Sequence, residues 1–144
     1  MKVALGSDHA GFEAKEGLKR TLAELDHETV DLGCQGPESV DYPDFGRAVA
    51  EAVARGDAQW GVLVCGTGIG MSMTANKVAG VRAALCCNEY AAEMARRHND
   101  ANVLCMGARL MAVAAMARCL SVFLETPFEG GKHARRVGKI EPRS

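Results

Sequence analysis

Five short apolar runs, each followed by a stretch of helical periodicity, set the tightest limit on what this chain can become. The runs are KVALG (2–6), ETVDLG (28–33), GVLVC (61–65), VRAALC (81–86) and NVLCMG (102–107). Between them lie amphipathic stretches. The first, about 11–25, places Phe12, Leu18, Leu22 and Leu25 near helical spacing, and the second, about 44–55, sets Phe45, Val49 and Val53 four apart. The others run from the glycine-rich segment to about 78, over about 88–98, and over 110–124. Strand, helix and strand repeated in this way predict a parallel sheet with helices on both faces. Right-handed crossovers restrict the topology, and five units are expected in the doubly wound order 2-1-3-4-5. The expected fold is α/β, one domain over residues 1–144. The last twenty residues leave the pattern, because Pro127 and Gly130-Gly131 interrupt the fifth helix. A C-terminal arm from about 125 to 144 is expected, with a short basic helix over about 132–140.

Composition narrows the function classes. A net charge of -1 gives no bulk attraction to nucleic acid or an anionic membrane. The N-terminal apolar stretch is too short for a signal peptide or a membrane span. The apolar tract at 110–124 is broken by Arg118 and Ser121 and is expected to be a packed helix. The six cysteines form no C-x-x-C pair and no zinc-type spacing. They are read as reduced thiols of a cytoplasmic protein, most of them small core residues.

In an open parallel sheet, ligands bind beyond the carboxyl ends of the strands, where the winding reverses. For the expected order that place lies between strands 1 and 3. The loop after strand 1 is Ser7-Asp8-His9-Ala10-Gly11. The loop after strand 3 is CGTGIG, with Gly66, Gly68 and Gly70 at alternate positions. Such a loop, opening a helix, points several N–H groups one way and makes an anion cradle. It is not a dinucleotide fingerprint, because Met71 stands where a third glycine is required. It is not a P-loop, because no G-K-[ST] follows. Cys65 stands at the mouth of the cradle, where a thiol is able to act as base or nucleophile; it also fits a buried strand end. Asp8 and His9 suit a sugar hydroxyl and a phosphate, while Asp8 equally suits a helix cap. Tyr42 lines the pocket or packs against it. His98, at the far end of helix 4, lies about 15 Å below the ligand edge at ~1.5 Å per residue. If it acts, it acts on a neighbouring subunit's pocket. Arg109, and Lys132, His133, Arg135 and Arg136 on the tail, offer positive charge. Lys132 and Arg136 are four apart, on one helix face.

Together SDHAGF, DYPD, CGTGIGMSMTANK, RRHNDANVL, GAR and FEGGKHARRV resemble the type B ribose-5-phosphate isomerases, a family that includes galactose-6-phosphate isomerase subunits. The resemblance runs from Lys2 to about Val137. It implies a doubly wound fold, a homodimer that sometimes pairs into a tetramer, and no metal or organic cofactor. By position it implies Cys65 as catalytic base, Thr67 as its helper and His98 as the residue that opens the furanose ring. It implies substrate contacts at Asp8, His9, Gly66, Gly68, Ile69, Gly70 and Asn99, and further substrate and phosphate contacts at Arg109 and Arg136. Members usually carry Arg where this chain has Lys132; Lys keeps the charge and loses the bidentate fork. The implied reaction interconverts ribose 5-phosphate and ribulose 5-phosphate through a cis-enediolate. Two alternatives stand beside it: an isomerase of allose or galactose 6-phosphate, and a non-catalytic nucleotide- or anion-binding module of flavodoxin-like shape.

Overall fold

The strands of the computed structural model, which describes residues 1–142, are β1 (Lys2–Ser7), β2 (Glu28–Asp31), β3 (Trp60–Cys65), β4 (Ala83–Leu85) and β5 (Val103–Gly107). The helices are α1 (Phe12–Glu24), α2 (Tyr42–Arg55), α3 (Ile69–Ala75), α4 (Glu89–Asn99), α5 (Val113–Glu125) and α6 (Lys132–Ile140). All five strands are parallel and hydrogen-bond in the order β2-β1-β3-β5-β4. The α/β sheet and its two helical layers are as expected, and α6 forms the expected basic helix. The last two residues of the expected arm, 143 and 144, lie outside the described residues.

The two final strands are exchanged relative to the expected order, and the cause is burial. Every residue of β5 is buried, which suits an inner strand paired on both sides. β4 is three residues long, and its last, Leu85, is 43% exposed. A ladder so short belongs at an edge. The exchange also decides where α4 packs. Connections β1→β2 and β4→β5 run one way along the sheet, while β2→β3 and β3→β4 run the other. Right-handed crossovers then require α1 and α4 on one face, and α2 and α3 on the other.

The core divides accordingly. On one face Leu18 and Leu22 of α1, Ala92 and Ala95 of α4, and Met116, Leu120 and Phe123 of α5 meet Val62, Val64, Leu104 and Met106. On the other, Val49 and Val53 of α2 and Met71 and Ala75 of α3 meet Leu63, Cys65, Val103 and Cys105. Neighbouring strand residues alternate between the two sets, as a pleated strand requires. The Cys65 side chain is thereby committed to the α2–α3 face. Local chemistry sets several helix ends. Pro43 lies in the first turn of α2, and Gly56, at φ 83, closes it; the Asn88 side chain caps α4 by accepting from Ala91 N–H at 2.8 Å. Among the described residues no helix is long and apolar enough to cross a membrane.

Candidate active site

Cys65 ends β3, and the residue is 5% exposed. The chain then turns so that Gly68 N–H donates to the Cys65 sulfur at 3.2 Å. That turn needs glycine. Gly68 has φ 82, and a Cβ there would lie 2.9 Å from the Met106 carbonyl carbon. The Thr67 hydroxyl accepts from Ile69 N–H at 3.2 Å, which fixes the start of α3. The exchanged strand order adds a neighbour. β5 lies against β3 with Gly107 opposite Cys65, and Arg109 N–H donates to Gly66 C=O at 3.0 Å. The Arg109 guanidinium rests over Gly66, close enough that an added Cβ would meet it at 3.1 Å. Tyr42, at the start of α2, lays its ring on Gly70.

The loop after β1 flanks the same cradle, since Ser7 is opposite Val64 and Asp8 N–H donates to Val64 C=O at 3.3 Å. One Asp8 oxygen accepts from Gly11 N–H at 3.1 Å, so the residue does fill a turn-capping role at the entry to α1. His9 accepts at Nδ1 from Val40 N–H at 3.2 Å. That bond places the imidazole hydrogen on Nε2, leaving a donor for an anion. Asp8, His9, Tyr42, Cys65, Thr67, the Gly66–Gly70 loop with Ile69, and Arg109 therefore converge on the carboxyl edge of the sheet.

The remaining candidates do not join them within one chain. α4 starts at the carboxyl edge and descends, so His98 and Asn99 end at the amino edge, where Asn99 C=O accepts from Arg82 Nε at 3.2 Å. Glu129 N–H donates to Arg97 C=O at 3.0 Å, and left-handed Gly130 and Gly131 then turn the chain into α6. The His98 and His133 rings stack with centroids 4.2 Å apart and planes 9° from parallel. The Glu129 carboxylate faces both, 3.6 Å from His98 Nε2 and 3.8 Å from His133 Nε2. Desolvation lowers the His133 pKa, and the nearby charge of His98 lowers it further, against the pull of Glu129. Lys132 and Arg136 are exposed on α6. The chain thus holds its candidate residues in two groups, on opposite edges of its sheet.

Three features had no sequence signal. Glu129 is visible only as an acidic residue before two glycines, and its histidine partners are set by the fold. A cavity of about 220 Å³ borders Thr67 and Ile69, lined also by Leu85, Cys86, Cys87 and Met111. A larger concavity of about 580 Å³ lies away from Cys65, between β4, α4 and Ile140 at the end of α6. The cysteines around the site behave as core. Burial pushes Cys86 up to about 12, and raises Cys105 and Cys119 as well, so these thiols stay protonated at neutral pH.

With this geometry in place, the likenesses to known proteins are consistent. The sequence profile of a family described as Ribose/Galactose Isomerase matches residues 3–140. The putative sugar phosphate isomerase YwlF of Bacillus subtilis is 46% identical over 97% of this chain and 95% of its own length. Ribose-5-phosphate isomerase B of Escherichia coli is 42% identical over 96% of this chain and 93% of its own. The solved structure of ribose-5-phosphate isomerase B from Clostridium thermocellum superposes with a TM-score of 0.96 at 48% identity, covering 97% of this chain and 95% of that one. A match of this extent, in sequence and in fold, places the chain in the ribose/galactose isomerase family.

Proposed function

We propose that this protein interconverts ribose 5-phosphate and ribulose 5-phosphate through a cis-enediolate, with Cys65 as the base. That it is an aldose–ketose isomerase of sugar phosphates follows from the family, and a non-catalytic binding module is set aside by the same membership. The observation that carries the finer reading is Gly68 N–H aimed at the Cys65 sulfur, inside a loop of amides flanked by His9 and Arg109. An N–H at that distance stabilises negative charge on sulfur. As a thiolate, Cys65 removes the proton from C2 and returns it to C1. Main-chain N–H groups of Gly66 to Gly70 stabilise the enediolate oxygen, and one such donor lowers a barrier by about 3–4 kcal/mol. Thr67 moves a proton between the two oxygens. His9 and Arg109 hold substrate, together with Lys132 and Arg136 at the phosphate; Tyr42 and Ile69 line the pocket. His98 opens the furanose ring, with Asn99 beside it and Asp8 near the ring oxygen.

Because His98, Asn99, Lys132 and Arg136 stand at the amino edge, the reading includes a homodimer, or a pair of dimers, in which each pocket borrows them from the neighbouring chain. The exposed edge strand β4 and the apolar concavity beside it offer a face for that neighbour. Six free thiols suit the reducing cytoplasm.

The test is a panel of pentose 5-phosphates and hexose 6-phosphates, followed by solvent deuterium uptake at the exchanging carbon. Ribose 5-phosphate is expected to give the highest kcat/KM, and a hexose phosphate in first place would overturn the five-carbon assignment. Cys65→Ala should lower kcat by roughly 10²–10⁴-fold with substrate still bound. Substantial turnover in that variant removes Cys65 from the role of base.

A further inference from the structure

Glu129 and His133 are four residues apart, and the left-handed pair Gly130 and Gly131 folds the chain so that both face His98 on α4. One nitrogen or oxygen from each of the three lies within 4.8 Å of the others. The two separations, 3.6 Å from Glu129 Oε2 to His98 Nε2 and 3.8 Å from Glu129 Oε1 to His133 Nε2, are longer than a hydrogen bond. They are close to a different distance: ligands about 2.0–2.1 Å from one tetrahedral ion stand about 3.3–3.5 Å apart. Two imidazoles and one carboxylate are also a donor set that suits zinc and leaves its fourth position to water. Magnesium and calcium prefer oxygen alone.

The positive charges of Lys132 and Arg136 reach His133 and weaken any cation's hold; two further features oppose an ion, and both yield. Arg97 Nε lies 3.6 Å from Glu129, but its guanidinium also bonds Glu93 at 3.0 Å and so has another partner when a cation displaces it. The stacked rings must turn about χ2 to direct both Nε2 atoms at one point; His98, at 41% side-chain exposure, has the room to make most of that turn, whereas His133, at 12%, has little.

We propose that His98, Glu129 and His133 form a three-ligand site for Zn²⁺ or an ion of similar softness, and that an ion bound there withdraws His98 from ring opening. The second half rests on the role proposed above for His98; the first does not. Calorimetric titration of tag-free protein with Zn²⁺ is expected to show one ion per chain. Glu129→Gln and His133→Gln should each weaken binding about tenfold or more, as loss of a ligand or its support does, while Cys87→Ser should leave it unchanged. Co²⁺ at the site should show no thiolate-to-metal charge-transfer band. Absence of binding, binding intact in both histidine-cluster variants, or loss in Cys87→Ser overturns the site. Zn²⁺ should also inhibit turnover of ribose 5-phosphate, reversibly with a chelator, with a midpoint raised in Glu129→Gln. Saturated binding with turnover unaffected overturns the second half. Calorimetry reads the ion and kinetics reads His98, so failure of the site and failure of the ring-opening role register in separate measurements.

Discussion

At Gly70 one methyl group decides whether Tyr42 keeps its place over the amide loop. A Cβ at that position would lie 2.4 Å from Cε1 of the Tyr42 ring. The ring is the mobile partner, since Tyr42 is partly exposed and the loop backbone is anchored to β5. Gly70→Ala should therefore leave the fold intact and lower kcat/KM by about tenfold through displacement of Tyr42. If so, adding Gly70→Ala to Tyr42→Ala costs little more, because neighbours that share one effect are not additive. Full additivity in kinetics of the double variant would show that the methyl acts on something other than the ring. The residues of the carboxyl edge were legible in the sequence because their spacing is local. The glycines stand beside Cys65, and the strand-end rule brings Asp8 and His9 alongside. Glu129 was not legible: what gives it chemistry is the pair of imidazoles at 3.6 and 3.8 Å, and one of them comes from another helix.

Among the elements, α1 is tied to β2 by a contact that periodicity also hides. Lys15 reads as part of a polar helix face, yet its side chain is fully buried, with Nζ 2.8 and 2.9 Å from the two Asp31 oxygens. Lys19 reaches the same carboxylate. Burial alone would raise the Asp31 pKa; hydrogen bonds from Lys15, Lys19 and Gly33 N–H outweigh it and hold the carboxyl below its ordinary value. Glu16 is also held low, chiefly by Lys19. Both folded-state values lie below the unfolded ones. Their contribution is therefore complete above the ordinary carboxylate range and is lost as pH falls below about 4. The two partners are not equivalent. Asp31→Asn leaves buried Lys15 with only the longer, half-exposed contact to Glu16 at 3.3 Å as counter-charge, and stripping the main partner from a buried charge typically costs about 3–5 kcal/mol. Lys15→Met leaves Asp31 with Lys19 and some solvent access, so a loss of about 1–3 kcal/mol is expected. Denaturant unfolding at neutral pH checks the order; Lys15→Met at least as damaging as Asp31→Asn would contradict it. Strand order shows the same limit of sequence. The runs at 81–86 and 102–107 look alike in length, and only the packing reveals that β5 is buried throughout while β4 frays to an edge. The error was small in topology but relevant to the site, because the true order lays Arg109 over Gly66.

For the whole molecule, the separation of Cys65 and His98, on opposite edges of the sheet, turns an assembly question into arithmetic. In a composite dimer, Cys65 of one chain and His98 of the other serve one pocket. Cys65→Ala and His98→Asn homodimers are then both inactive toward furanose phosphates. A heterodimer of the two has one pocket that carries both substitutions and one that carries neither. Random exchange at equal concentration makes half of the dimers mixed, each with one working pocket of two, so activity should return to about a quarter of wild type. If each chain held a complete site, every pocket in the mixture would carry one substitution and nothing would return. Native mass spectrometry fixes the heterodimer fraction, so absent recovery is readable as a result and would put Cys65 and His98 in one chain's pocket, against the opposite edges they occupy here. The same two variants, assayed unmixed, separate ring opening from isomerisation. With an open-chain substrate, the His98→Asn homodimer should already turn over while the Cys65→Ala homodimer should not, because with Cys65 as the proposed base the proton transfer at carbon would still need the thiol when no ring has to be broken.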